Sequence, residues 1–295
     1  MAVVSNTTTT AQMTDVQIRE LDFVSRFNAD WQNLVDILGI MNPIRKTPGT
    51  KLVANKATIV LQPGEVAEGD EVALSQATVE PMAEKNLVIK KYRKRVTIEA
   101  VEKYGAAVAV RKTDEALMNE MKGETLDEFY SFALTGTLTG SEASFQMAVS
   151  MAIAKVKDKF KKLRLNYGQV VVFANTLDVG RYLGTANVTI QTQSGVEYMK
   201  NVLGADTIIV TSEIPEGKVV AVPADNIVLY YIDPSDSDFR ELGLEYTTGN
   251  DEANLIGIHH DGVYGRASGD THAIMGMTLW AEYLDGIAVV SIQGE

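Results

Sequence analysis

The sequence predicts an α+β protein organised around a projecting arm, on three observations. Residues 14–38 and 141–163 carry apolar side chains at helical spacing. Residues 87–98 alternate partly between apolar and basic side chains, as a half-exposed strand does, and a long helical stretch follows at 113–134. From Gln169 onward short, wholly apolar strands such as Val170-Val171-Val172-Phe173 alternate with short helical stretches, the texture of a sheet covered on both faces.

The chain of 295 residues is long enough for about two domains. At 45% hydrophobic and 22% charged residues it can bury a real core. A net charge of -12 makes the chain as a whole a poor ligand for nucleic acid. It has no cysteine, which rules out disulfides and thiolate metal sites and fits a reducing compartment. Residues 1–10 lack a basic and an apolar region, so export by a signal peptide is not expected. No run approaches the ~18 apolar residues of a membrane helix, so a soluble protein without a membrane partner is expected.

In chain order, residues 1–13 are small and polar, with Thr7 to Thr10 in succession, and read as an arm without a core of its own. Thr14 and Gln17 have capping-box spacing at the start of the first helix. Leu21, Val24, Phe27, Trp31, Leu34, Val35 and Leu38 share one face, and Gly39 and Pro43 end it. Residues 45–86 hold turn signals at Pro48-Gly49, Pro63-Gly64, Gly69-Asp70, Ser75 and Pro81, around a strand at 57–61. Too long for an ordinary loop and too poor in large apolar residues for a domain, this region reads as a two-stranded arm that a partner must steady.

From Lys85 to Lys112 nine Lys or Arg stand against two Glu. Thr113 or Asp114 is a good N-cap for the long helix, and its pattern slips near Gly123, which predicts a bend there. The helix at 141–163 gathers Phe145, Ala148, Val149, Ala152, Val156, Phe160 and Leu163 on one side. Asn175 or Thr176 caps a short helix, and Ser194 another with Val196, Met199, Val202 and Leu203. Strands are expected at 207–210, 218–222, 227–232, 273–284 and 287–292, the last two returning onto the long helix. Residues 206–260 carry eleven acidic side chains against two basic.

Chemistry is sparse. His259, His260, Asp261, Asp270 and His272 form one metal-like cluster, on which a soluble metal-dependent enzyme would be built. Adjacent His259 and His260 on a strand point to opposite faces, so one ion cannot easily use both. No P-loop, G-x-S-x-G or HExxH is present, and the glycines at 262, 265 and 269 lack dinucleotide-fingerprint spacing. No enzyme, cofactor or metal site is expected.

Four segments then carry a family likeness. Gly64-Glu65-Val66-Ala67-Glu68-Gly69-Asp70-Glu71-Val72-Ala73-Leu74-Ser75 with Lys90-Lys91-Tyr92-Arg93-Lys94-Arg95-Val96-Thr97-Ile98 is the first. Leu126-Asp127-Glu128-Phe129 through Leu134-Thr135-Gly136-Thr137 is the second. The third runs from Leu203-Gly204 through Ile208-Ile209-Val210-Thr211 and Ile214-Pro215-Glu216-Gly217 to Val220-Ala221-Val222-Pro223. The fourth is Ala281-Glu282-Tyr283-Leu284-Asp285-Gly286-Ile287-Ala288-Val289. In this order they resemble the major capsid proteins of tailed bacteriophages with the Hong Kong 97-like fold, over residues 45–292.

The resemblance implies an N-terminal arm and helix (1–44), an extended β-hairpin loop and return strand (45–98), a peripheral domain with a spine helix (99–168), an axial domain (169–238) and a β-rich return (239–295). It implies pentamers and hexamers of one chain forming an icosahedral shell around double-stranded DNA without sequence-specific binding. A portal and a separate scaffolding protein are expected partners, and the protein is expected in the virion after assembly in the host bacterial cytoplasm. An encapsulin-type nanocompartment shell is the alternative, since the amphipathic helix at 14–38 would suit a lumen lining. Subunit contacts are expected at acidic Glu65, Glu68, Asp70 and Glu71 and at basic Lys90, Lys91, Arg93, Lys94 and Arg95. The basic stretch at 85–112 and the acidic region at 206–260 are expected to meet between subunits, and on that pairing charge reversal at Arg93 and Lys94 impairs assembly and leaves single chains folded.

Overall fold

The computed structural model describes residues 15–40, 43–67, 71–186, 189–249 and 253–293. Helix α1, Asp15–Leu38, ends where Gly39 turns back at φ 65°. Val24, Phe27, Trp31, Leu34, Val35 and Leu38 are buried as expected, and Phe23 and Ile37 widen the stripe. Thr14 of the expected capping pair lies outside the described residues.

Strands β1 (Ile44–Arg45), β2 (Lys51–Val60), β3 (Gln76–Asn86) and β4 (Lys90–Thr97) follow. Pro81 lies inside β3 instead of in a turn. Ala54 faces Ala83 and Asn55 faces Pro81, so Met82 is an extra residue in the ribbon. A bulge in a two-stranded ribbon tolerates a residue with no N–H to donate.

Helix α2 (Ile98–Tyr104) is capped by Thr97, and a wide π-type turn at Ala107–Lys112 leads into α3 (Thr113–Ala133). Thr113 is therefore not an N-cap. The backbone is already helical before it, and its Oγ1 donates to the carbonyls of Ala109 and Val110 at 2.8 and 2.9 Å. The helix runs through Gly123 without interruption, and the irregular turn sits at 107–112 instead. Past the end of α3, Gly136 has no room for a side chain: a Cβ there would come 2.6 Å from Ile287 Cγ2.

Strand β5 (Leu138–Glu142) replaces the expected start of the next helix, because Ser141 and Glu142 pair in parallel with the last strand of the chain. Helix α4 (Phe145–Leu163) begins after Ser144, whose Oγ accepts from the Met147 amide. Then come β6 (Val170–Asn175) and α5 (Thr176–Leu183), capped by Asn175, whose Oδ1 accepts from the Leu177 amide at 2.8 Å. The helix expected after Ser194 is a hairpin of β7 (Gln191–Gln193) and β8 (Val196–Val202). Ser194 and Gly195 both have positive φ, 51° and 81°, the backbone of a two-residue hairpin turn. Strands β9 (Ala205–Thr211), β10 (Lys218–Pro223) and β11 (Ile227–Ile232) match expectation, and helix α6 (Ser237–Glu241) follows. The chain closes with β12 (Ile256–Val263), β13 (Ser268–Ala281) and β14 (Ala288–Ile292).

These elements form two compact units, each made of three separate stretches. The first holds Met1–Trp31, Ile89–Met121 and Ile232–Gly276. In it β13 pairs antiparallel with β12 on one side and with β4 on the other. Its buried apolar residues include Phe23, Val24, Phe27, Met118, Ile256, Ile258 and Met275.

The second unit holds Gln32–Val88, Lys122–Tyr231 and Met277–Glu295. Its seven-stranded sheet runs β5-β14-β10-β6-β9-β8-β7. Every residue of β6 is buried. Val170, Val172 and Ala174 join the core under α4, with Ala148, Ala152 and Val156. Phe173 on the other face meets Phe129 and Tyr130 of α3 edge-on at 5.7 and 5.4 Å. Phe132 of α3 stacks on Trp280 at 4.3 Å, so the end of β13 does return to the long helix. Among the described residues no helix is long and apolar enough to cross a membrane.

Candidate assembly surface

Two surfaces carry the residues expected at subunit contacts, one in each unit. In the second unit β2 and β3 pair antiparallel from Lys51↔Asn86 to Val60↔Gln76 and belong to no other sheet. The root of this hairpin is held firmly. Leu52, Ala54 and Leu87 are buried, and the Leu87 amide donates to the Thr50 carbonyl at 2.9 Å. Lys85 Nζ reaches Glu128 Oε2 of α3 at 2.7 Å and Thr278 Oγ1 at 3.0 Å.

Beyond the root the hairpin has no core. Every described residue from 58 to 82 is exposed. The apolar ones are not small: Ile59, Leu61, Val72, Leu74 and Val79 are 64%, 73%, 57%, 93% and 63% exposed. Local bonds such as Gln62 N–H to Ser75 Oγ, 3.1 Å, close the tip. An isolated ribbon of this kind is marginal in water, and a run of exposed apolar side chains marks a surface made for contact. Glu65 and Glu71 lie on the exposed tip; Glu68 and Asp70 fall outside the described residues.

In the first unit the basic strand is largely neutralised from within. Arg93 and Arg95, two apart and so on one face of β4, both donate to Asp270 of β13, which is 1% exposed. Arg95 is bidentate, Nε to Oδ1 at 2.6 Å and Nη2 to Oδ2 at 2.8 Å. These donors hold the Asp270 carboxyl well below the usual carboxylate range, Arg95 foremost. Lys94 binds Asp114 at 2.5 Å and Thr113 at 2.8 Å. Burial lowers the Lys94 pKa, and the Asp114 bond opposes that shift. Lys91 is exposed, whereas Lys90 is half-buried. Arg93 keeps 56% of its side chain in solvent, against 15% for Lys94 and 28% for Arg95.

Sequence reasoning missed the two carboxylates that organise this strand. Asp114 reads as a helix cap and Asp270 as a metal candidate. Asp270 lies opposite Arg95 in register, a relation that only the strand pairing reveals. His259 and His272 are cross-strand neighbours, while His260 turns to the other face. Among the described residues no group of three or more His, Asp or Glu side chains is placed to hold a metal.

No protein-family model matches the sequence, and no curated protein does. Solved structures do match. A chain of the cyanophage A-1(L) capsid aligns at TM-score 0.53 and 13% identity over 99% of each chain. The virus-like particle of Pyrococcus furiosus aligns at 0.51 and 13%, over 92% of this chain and 98% of that one. The mature capsid of bacteriophage PhiM1 aligns at 0.51 and 8%, over 86% of each. Nearly the whole of each chain takes part, so the likeness is one of entire fold.

Proposed function

We propose, from the Hong Kong 97-like capsid fold that this chain adopts, that it is the major capsid protein of a tailed bacteriophage, building an icosahedral shell from many copies of itself. The fold supports a shell protein, and the hairpin carries the reading. A monomer gains nothing from Leu61, Val72 and Leu74 standing in water at the end of an unsupported ribbon. A neighbouring copy that covers them recovers about 25 cal/mol for each Å² of apolar surface buried. Individually modest contacts, repeated around every copy in a closed assembly, then hold the shell by effective concentration. The net charge of -12 suits a container for double-stranded DNA, because a wall that gripped DNA tightly would hinder its filling. A separate scaffolding protein and a portal are the partners expected for such a shell in the infected cell, and the virion is its destination.

The exposed charges refine where copies meet. Glu65 and Glu71 at the tip, and Lys91 and Arg93 on β4, are the members of the expected contact set that remain available to a neighbour. Lys94 and Arg95 act chiefly inside their own unit.

The test is overexpression of the chain and a variant in which residues 58–82 are replaced by a two-residue turn. Electron microscopy and sedimentation should show hollow particles for the first and folded single chains for the second. A wild-type chain that stays monomeric at every concentration overturns the proposal. Particles that enclose a co-purifying enzyme, with no portal or DNA, would assign the chain to encapsulin-type compartments instead.

A further inference from the structure

Beside the buried ion pairs of the first unit lies a cavity of about 560 Å³, open at one side. Its wall is mostly apolar, from Val96, Ile98, Val101, Val110 and Val263. Two glycines, Gly262 and Gly269, also line it, and they face one another across β12 and β13. Neither has a positive φ, so the backbone does not demand glycine at either position. A Cβ at either would meet nothing within 4 Å, so close packing does not demand it either. Their effect is to leave a bare patch of sheet.

Two side chains on the same wall carry unsatisfied polar atoms. Nδ1 and Nε2 of His260 and Oγ of Ser268 are buried, with no hydrogen-bond partner among the described residues. Leaving such atoms buried and unpaired is unfavourable, and a ligand that bonds to them removes that cost. The charged groups from α1 beside them are satisfied: Glu20 Oε1 accepts from the His260 amide at 2.6 Å, Glu20 Oε2 accepts from Thr247, and Arg19 is bound to Asp114. A cavity of this size with apolar walls and a few convergent polar groups has the anatomy of a small-molecule site.

We propose that this cavity binds an uncharged, mainly apolar small molecule bearing one hydroxyl or amide group. The imidazole offers a donor at one nitrogen and an acceptor at the other; a single hydroxyl or amide can bond to one of them, and Ser268 Oγ can supply a second bond to the same group. His260 is neutral at physiological pH, because burial, with Arg19 assisting, lowers its pKa to about 4. An anionic ligand would find no imidazolium to balance it, and the Arg19 guanidinium in the same lining is already held by Asp114. For the same reason the acidic hairpin tip of another copy, with Glu65 and Glu71, fits the cavity poorly.

Equilibrium dialysis of radiolabelled 1-octanol against the full chain tests the proposal, with octanoate as the charged counterpart. Saturable uptake of one 1-octanol per chain is expected, with octanoate at least tenfold weaker. Gly269→Leu should fill the cavity and abolish uptake, and Gly262→Leu serves if that variant does not fold. His260→Phe should weaken binding about tenfold while circular dichroism shows an unchanged fold, as expected for the loss of hydrogen bonds to a ligand. Non-saturable uptake, equal uptake by a folded glycine variant, or preference for octanoate would each overturn it. So would an assembled particle in which another copy's side chains fill the cavity.

Discussion

Arg19 grips Asp114 with two parallel hydrogen bonds, Nε to Oδ2 and Nη2 to Oδ1, each 2.8 Å long. The arginine stands in α1 and the aspartate in the first turn of α3. Lys94 takes the same carboxylate from β4. Three elements of the first unit thus share one nearly buried anion.

Replacing Asp114 with alanine should therefore destabilise the chain by about 3 kcal/mol, since it strands two partly buried cations at once. The measurement is denaturant unfolding of wild type and variant. A loss under 1 kcal/mol would mean that the two cations find solvent easily. Limited proteolysis should in addition show cleavage within α1 appearing in the variant first.

The charge-reversed Lys94→Glu would place a second carboxylate against Asp114. Reduced assembly of that variant should come with a lowered melting temperature. Lys91→Glu, on an exposed position, should lower particle yield without a change in melting temperature. Comparing the two separates contact between copies from support within one.

His260 gives the first unit a pH dependence of definite sign. Its folded pKa of about 4 lies below the ordinary 6.5. Between these values the unfolded chain binds a proton that the folded chain refuses, so stability falls as pH drops from 6.5 toward 4. Above 6.5 the contribution is fully present. Melting curves across this window should show a slope that His260→Phe flattens; an unchanged slope would assign it to the carboxylates.

Leu61→Glu with Leu74→Glu should leave the unfolding free energy within about 0.5 kcal/mol of wild type, because both side chains already stand in water. Particle yield should fall sharply. A matching loss of stability would place these leucines in a core of their own chain.

Gly136→Ala should destabilise the second unit by about 1–3 kcal/mol through overpacking, as its Cβ would press within 2.8 Å of the Ile287 carbonyl oxygen. Trimming Ile287 to alanine in the same chain should recover little, since backbone as well as side chain stands in the way. Thermal unfolding of the single and double variants checks this.

What could be read from residues alone was whatever is local. The stripe through Phe27, Trp31 and Leu38, the Asn175 cap and the wholly apolar β6 all state their structure within a few positions. The β7–β8 hairpin was hidden because Val196, Met199 and Val202 satisfy helical spacing as well as strand pairing, and only the left-handed Ser194-Gly195 pair decides between them. Ser141 and Glu142 follow β14, a strand far along the chain. The ion pairs were illegible for the same reason: Arg19 and Asp114 are 95 positions apart, and Arg95 and Asp270 are 175 apart. A charge run shows that cations exist; it does not show which anions fold back to meet them.

The threefold interleaving of each unit bears on how the molecule comes off the ribosome. The first unit lacks its last stretch until Gly276 has been synthesised, and the second continues beyond that point. A nascent chain therefore emerges with β4 still waiting for the strand that neutralises it, and long-range closure of this kind is slow. On the proposed function, a chain cannot offer its first unit to a neighbouring copy before Gly276 has been made, which keeps shorter nascent chains out of a growing lattice.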